Sequence, residues 1–183
     1  MRFVRFALAS AFSAAGLTAS AQTVVNQAIT EAEVFAAQAG WCQALVQISE
    51  AHAQDGQAAA RALAEQVIDE AYAYQLGAVL FKPTLATNPQ TFRTTRDGAL
   101  SYFVAGDAAY PNDSGFALKG WTACEPDTAA VFITGHSAMT LGKVHFTAGD
   151  GTITTVDKTW GFIKDAAGRL RIVLHHSSLE YPG

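Results

Sequence analysis

The stretch TITTVDKTWGFIKDAAGRLRIVLHHSSL, residues 152–179, decides the fold. Threonine, branched aliphatic and aromatic residues dominate residues 152–164 and again residues 169–179, which predicts two long β-strands. The segment 165–168 starts with aspartate and ends in glycine, which predicts a tight turn between them. A turn this short joins antiparallel strands, so the chain should finish in a β-hairpin.

Two more strands are predicted before this hairpin. The β pattern starts near Trp121, and residues 130–134 and 139–147 are rich in apolar and β-branched side chains. The glycine-containing segments 135–137 and 149–151 predict the turns that join these strands to each other and to the hairpin. The second half of the chain should therefore form an antiparallel sheet.

The first half carries helical periodicity. Thr30 and Glu33 have the spacing of a capping box and predict the start of a helix that runs to about residue 52. Gly56 interrupts the pattern, and a second helix is predicted over residues 57–78.

A short extended segment and a third helix complete the predicted elements. Residues 79–84 contain Pro83, which favours an edge strand or a bend. Thr94 or Thr95 caps a brief third helix that ends near Phe103. Helices followed by strands predict an α+β domain, with the helices packed on one face of a curved sheet.

The N-terminus has the pattern of a secretory signal peptide. Arg2 and Arg5 precede an uncharged apolar stretch, and Ala19-Ser20-Ala21 supplies the small residues of a cleavage site. The apolar stretch is too short and too rich in small residues for a membrane span. We expect residues 1–21 to be removed, leaving residues 22–183 as a single domain in the periplasm or secreted, with no membrane partner.

Composition restricts the function classes. The 183 residues are 50% hydrophobic and 15% charged, with a net charge of −4, which excludes a disordered chain and a basic nucleic-acid binder. An acidic surface and an exposed sheet face favour self-association, most simply as a homodimer.

Cys42 and Cys124 allow one disulfide, which would stabilise the fold by about 3–4 kcal/mol, or two buried thiols that never meet. The sequence leaves both possibilities open.

The most unusual chemistry lies in the last predicted strand. Two histidines and two serines interrupt an apolar run, and burying such groups is costly without hydrogen-bond partners. Strand alternation places His175 and Ser177 on one face, and His176 and Ser178 on the other. One pair should therefore face the interior.

A protein-built metal site is not favoured. Adjacent histidines on a strand diverge, so a zinc site at His175 would need His136, His145 or a carboxylate from elsewhere. His145 and His52 are better interpreted as partly exposed surface histidines. The sequence also lacks the common nucleotide-binding, zinc-protease and nucleophile-elbow motifs.

Three segments together resemble the iota-class carbonic anhydrases: Phe81-Lys82-Pro83-Thr84, residues 97–103 with 115–118, and Leu174-His175-His176-Ser177-Ser178-Leu179. The similarity spans about residues 71–181. It implies a cone-shaped α+β domain of the nuclear transport factor 2-like type, similar to the association domain of calcium/calmodulin-dependent protein kinase II. Without the resemblance, residues 81–84 would be an exit loop and Tyr102 a core residue.

The resemblance also implies a reaction, the reversible hydration of carbon dioxide to bicarbonate. Thr84, Tyr102 and Ser177 would position water and bicarbonate, and His175 would accept or relay the proton. The family is often described by three consecutive histidines, whereas Leu174 stands in the first place here. This departure favours a pocket without a metal over one with zinc or manganese.

Two other functions fit the same fold class. One is a non-catalytic domain for small-ligand binding or oligomerisation, and the other is an isomerase or cyclase that uses a histidine and a carboxylate. A wide apolar cavity would favour these alternatives. A small cavity lined by hydroxyls would favour the carbonic anhydrase.

Overall fold

The structure, a computed structural model, describes residues 27–183, so the predicted signal peptide lies outside the described residues. One long helix, one short helix and five strands follow one another along the chain. They are α1 (Glu31–Ala71), β1 (Leu80–Lys82), α2 (Arg96–Val104), β2 (Trp121–Thr134), β3 (Ser137–Ala148), β4 (Ile153–Lys164) and β5 (Leu170–Ser178), with a 3₁₀ turn at Phe116–Leu118 before β2.

Helix α1 begins at the predicted capping box. The Thr30 hydroxyl accepts a hydrogen bond from the Glu33 amide, and the Glu33 carboxylate accepts one from the Thr30 amide at 2.8 Å. Gly56 has φ 82° and ψ −175°, so the helix is kinked where the sequence predicts a break. The two predicted helices are the two halves of α1.

The second half of α1 ends at Ala71 and not at residue 78, because the sheet captures the chain earlier. Tyr72 adopts an extended conformation and forms a parallel bridge with Ile172. The Ala73 amide then donates to the Ile172 carbonyl at 3.0 Å. These contacts satisfy the backbone in place of another helical turn.

The five strands form one sheet in the order β1-β5-β4-β3-β2. The predicted meander of β2 to β5 is antiparallel, and β1 adds a parallel edge strand beside β5. Strand β2 begins at Trp121, well before residue 130, and tolerates Pro126 because it lies at the other edge. Register shifts along β2 bend this end of the sheet.

Both helices pack on the same face of the sheet, which confirms the predicted α+β arrangement. Inward-facing side chains on β3 and β4 meet the apolar stripe of α1, led by Trp41, Leu45 and Ile48. The buried sheet residues include Val144, Phe146, Val156, Trp160 and Phe162. No helix within residues 27–183 is both long and apolar enough to cross a membrane.

A disulfide joins Cys42 of α1 to Cys124 of β2, with Cα atoms 5.0 Å apart. This resolves the alternatives that the sequence leaves open. The bond closes a loop of sequence separation 82, for which chain entropy predicts a stabilisation of about 4.5 kcal/mol.

Candidate active site

Strand β5 presents its two histidines and two serines as alternation predicts. His175 and Ser177 point into the core and are buried, whereas His176 is exposed and Ser178 is half-buried on the outer face. The inner face of β5 is therefore polar at the point where the neighbouring strands contribute aromatic rings.

The register of the sheet assigns neighbours to these two residues. His175 lies opposite Phe81 of β1 and Trp160 of β4, and Ser177 lies opposite Lys158 of β4. The Phe81 ring stacks on the His175 imidazole with centroids 4.3 Å apart. One side of the imidazole is thereby sealed by an apolar ring.

Thr84 and Tyr102 reach the same place from other elements. The chain leaves the sheet after β1, and the Thr84 hydroxyl donates to Ser177 Oγ at 2.6 Å. Helix α2 delivers Tyr102, whose hydroxyl meets the backbone amides of Thr84 and Leu85 and the Thr84 hydroxyl. Burial raises the pKa of Tyr102, so its phenol keeps its proton.

A small cavity connects all four residues that the sequence points to. It leaves about 10 Å³ for the centre of a water-sized molecule, which is room for about one water. Its walls are lined by Trp41, Phe81, Pro83, Thr84, Tyr102, Phe103, Phe116, Lys158, His175 and Ser177.

Lys158 is a site residue that the sequence analysis missed. It is only 3% exposed, and its Nζ lies 2.5 Å from His175 Nε2 and 3.5 Å from Ser177 Oγ. Strand alternation was the available signal, because Lys158 stands between the inward-facing Val156 and Trp160. Its Nζ also lies 4.5 Å from the centroid of the Trp41 ring.

A chain of hydrogen bonds leads from Lys158 into the core. The Tyr72 hydroxyl lies 2.7 Å from His175 Nδ1, and Trp41 Nε1 donates to the same hydroxyl at 2.9 Å. Both nitrogens of the His175 ring are therefore engaged, one with Tyr72 and the other with Lys158. Tyr72 was not predicted from the sequence, because its position depends on the bridge that ends α1.

Burial governs the charge of the side chains in this hydrogen-bonded series. It lowers the pKa of Lys158 well below its ordinary value. Burial is also the main cause that lowers the pKa of His175 well below its ordinary value, and any positive charge on Lys158 or His176 would lower it further. Among the described residues that line the cavity there is no Asp or Glu to compensate a positive charge. His175 is therefore neutral at pH 7.

The other histidines lie elsewhere. His136 is exposed in the turn before β3, and His145 faces outward from β3 with Nδ1 2.8 Å from Thr155 Oγ1. His52 is half-buried on α1. Within residues 27–183 no group of three or more His, Cys, Asp or Glu side chains is arranged to hold a metal ion.

These features define a small α+β domain with a small, partly polar cavity that has no room for a large ligand. The chain belongs to the metal-independent carbonic anhydrase family, whose pattern matches residues 32–179. A metal-independent carbonic anhydrase of a Nostoc species is 59% identical over 165 residues, covering 90% of this chain and 80% of that protein. The family's metal independence agrees with the expectation from Leu174.

Solved structures agree with this assignment. A cyanobacterial iota-carbonic anhydrase complexed with bicarbonate is 59% identical, with a TM-score of 0.87, and the match covers 88% of this chain and 99% of that one. A calcium/calmodulin-dependent protein kinase II association domain from Xanthomonas campestris shares the fold, with 20% identity and a TM-score of 0.53 over 88% of this chain and 99% of that one. Both relations are those that the sequence resemblance implies.

Proposed function

We propose that this chain catalyses the reversible hydration of carbon dioxide to bicarbonate, without a metal, in the cavity beside His175. The observation that carries the proposal is the convergence of three hydroxyls, from Thr84, Tyr102 and Ser177, on a buried pair of nitrogen bases. Membership of the family and the bicarbonate complex of the cyanobacterial relative support it.

The reaction needs a nucleophilic water and donors for the charge that develops. The water oxygen forms a bond to the carbon of carbon dioxide, one C=O electron pair moves onto its oxygen, and the water loses a proton. Thr84, Tyr102 and Ser177 provide the hydroxyl donors for the oxygens. A bicarbonate oxygen placed between Thr84 and Ser177 would take over the hydrogen bond that now joins them.

The proton passes to the nitrogen pair of His175 and Lys158. Burial lowers the pKa of both groups, so both favour the uncharged form, which has a lone pair that can accept or relay a proton. Phe81 and Phe103 separate the cavity from bulk water, which strengthens the hydrogen bonds inside it.

The dimensions of the cavity favour this function over the alternatives. A domain that binds a larger apolar ligand needs a wide cavity, whereas this one has room for about one water. An isomerase or cyclase of the kind considered needs a carboxylate beside the histidine, and the described residues that line the cavity include none.

Stopped-flow hydration of carbon dioxide tests the proposal, using the chain from Gln22 with and without a strong chelator. Activity that survives chelation is expected. Activity that is lost to the chelator and restored by zinc or manganese would contradict the metal-free pocket. A folded protein with no activity in either condition would contradict the proposal and favour a non-catalytic domain for ligand binding or oligomerisation.

We further propose that the protein is exported, periplasmic or secreted, after cleavage behind Ala21. The basic and apolar pattern of residues 1–21 supports this, and so does the Cys42–Cys124 bond, since disulfides persist in oxidising compartments. Expression of the full chain in a Gram-negative host should yield periplasmic protein that begins at Gln22. Uncleaved protein confined to the cytoplasm would contradict the proposal.

We also propose a homodimer that pairs through the outer face of the sheet. Phe132, Met139 and Leu141 are large apolar side chains on that face, and each is about half exposed or more. Light scattering of the wild type should give twice the mass of one chain, and the Leu141→Lys variant should have the mass of a single chain. A wild-type protein with the mass of one chain would refute the dimer.

A further inference from the structure

We propose that Lys158 is a catalytic residue: its neutral amine takes the proton from the attacking water, and His175 and Tyr72 are positioning residues that keep the amine neutral. The inference rests on the proposed function, because it assigns one step of that reaction to one atom. It follows from the order of donors and acceptors along the buried chain of hydrogen bonds.

The order is fixed at the inner end of the chain. An indole nitrogen can only donate, so Trp41 Nε1 donates to the Tyr72 oxygen. The Tyr72 hydroxyl then places its own hydrogen on the remaining neighbour, His175 Nδ1, at 2.7 Å. Nδ1 is therefore an acceptor, and a neutral His175 carries its ring hydrogen on Nε2.

This hydrogen faces Lys158. His175 Nε2 and Lys158 Nζ are 2.5 Å apart, so the Nε2 hydrogen needs the lone pair of an uncharged amine. An ammonium group would direct hydrogen against hydrogen across that contact. The geometry thus disfavours a charged Lys158, and burial lowers its pKa in the same direction.

Lys158, and not His175, is the nitrogen that faces the reacting hydroxyls. Its Nζ is 3.5 Å from Ser177 Oγ, whereas both nitrogens of His175 are held by Tyr72 and Lys158. A lysine side chain can turn about its last bonds, so the amine is free to direct its lone pair from His175 toward a water at Ser177. Once protonated, the ammonium pairs with the bicarbonate that has just formed.

Among residues 27–183, the groups around the amine come from every neighbouring element, and the cavity wall includes no carboxylate. The titratable neighbours are His175 and His176 on β5, Lys82 on β1, Tyr72 after α1, and Tyr102 on α2. Lys82 Nζ donates to the Ser177 carbonyl at 3.0 Å. The Asp113 carboxylate influences Tyr102, and it is paired with Arg93. The titration that controls the reaction is therefore assigned to Lys158.

The step balances without any further reactant. The water oxygen bonds to the carbon, one C=O pair moves to oxygen, and the water proton forms an N–H bond at Lys158. The products are bicarbonate and an ammonium, which returns its proton to solvent or buffer in a later step. Hydration should consequently be lost as the pH falls through the pKa of Lys158.

The experiment combines a titration with kinetics. NMR of the ¹⁵Nζ resonance of Lys158 in the wild-type protein should show a pKa far below that of Lys143, and the pH profile of kcat/KM should have its inflection at the same value. Lys158→Met should lower kcat at least about a hundredfold and remove that inflection. If Lys158→Met does not fold, the titration of Lys158 in the wild type and in the Tyr72→Phe and Tyr74→Phe variants tests the inference.

Tyr72→Phe separates a positioning role from a structural one. Without the Tyr72 hydroxyl, Nδ1 can carry the ring hydrogen, Nε2 can accept from an ammonium, and the pKa of Lys158 should rise together with the kinetic inflection. Tyr74→Phe is the matched control, because its ring stacks on Tyr72 but its hydroxyl donates to the Arg93 carbonyl.

Three results would overturn the inference. One is an ordinary pKa for Lys158 in an active enzyme, and another is an equal pKa in the Tyr72→Phe and Tyr74→Phe variants. The third is a strongly lowered pKa of Lys158 in a folded protein that does not hydrate carbon dioxide. This last result would refute the proposed function together with the role of Lys158, whereas the first two would refute the role alone.

Discussion

The two faces of the sheet carry the same kinds of side chain in opposite electrostatic environments. On the outer face, the Lys143 ammonium bonds to Asp157 at 2.9 Å and also to Glu180, and these carboxylates raise its pKa. On the inner face, Lys158 is buried among aromatic rings and a histidine, and burial lowers its pKa. Residue type is therefore a poor guide to chemistry here, and the face of the strand decides it.

The same contrast holds along β5. His176 and Ser178 lie toward solvent, whereas His175 and Ser177, one position away, line the cavity. Water can satisfy the outer groups whatever their arrangement, but the inner groups depend on one another. A substitution on the inner face should therefore reduce stability or activity far more than its counterpart on the outer face.

The largest expected effect concerns a buried ion pair behind the cavity. The side chains of Arg93 and Asp113 are 3% and 5% exposed, and their contact is 2.6 Å. Asp113→Ala would leave a guanidinium buried without its charge partner and should lower the free energy of unfolding by about 3–5 kcal/mol. Denaturation in urea measures the loss.

Asp157→Ala is the matched variant on the outer face, because it also removes a carboxylate that pairs with a cation. Lys143, however, keeps its contact with Glu180 and its access to water. The urea midpoint of Asp157→Ala should match that of the wild type. Equal losses in the two variants would mean that burial does not distinguish the two pairs.

Ser177→Ala should have the next largest effect, this time on catalysis. It removes a hydroxyl that bonds Thr84 and faces Lys158, so kcat for hydration should fall about 10²–10³-fold. Ser178→Ala removes the same group from the outer face and should remain within twofold of the wild type. Full activity in a folded Ser177→Ala protein would refute the assignment of the site.

Tyr102→Phe should reduce activity less, by about tenfold to a hundredfold, because one donor of about 1.5–3 kcal/mol is lost. The ring keeps its stacking on Phe116, so the wall of the cavity stays in place. Tyr181, which is 90% exposed, provides the control. A Tyr102→Phe enzyme as active as Tyr181→Phe would remove Tyr102 from the proposed donors.

The sequence predicts the inner face of β5 but not the whole site. Alternation identifies His175 and Ser177 because a strand has a fixed period of two, and the same rule could have identified Lys158. Thr84 and Tyr102 follow only from family resemblance, since their approach depends on a loop and on how α2 docks. Tyr72 depends on a single parallel bridge to Ile172, 100 positions later in the chain, and no local pattern encodes such a pairing.

The last expected effect is gradual, a change in the slope of stability against pH. An unfolded lysine binds a proton up to a pH of about 10.4, whereas the folded Lys158 releases it at a much lower pH. Between these two values the unfolded state binds one proton more, so the stability of the wild type should rise with pH by about 1.4 kcal/mol per unit from this group. In Lys158→Met that contribution should vanish, and in Lys143→Met the wild-type slope should remain. Urea denaturation at several pH values from 7 to 9 measures the three slopes, and parallel lines for wild type and Lys158→Met would show that Lys158 is charged in the folded protein.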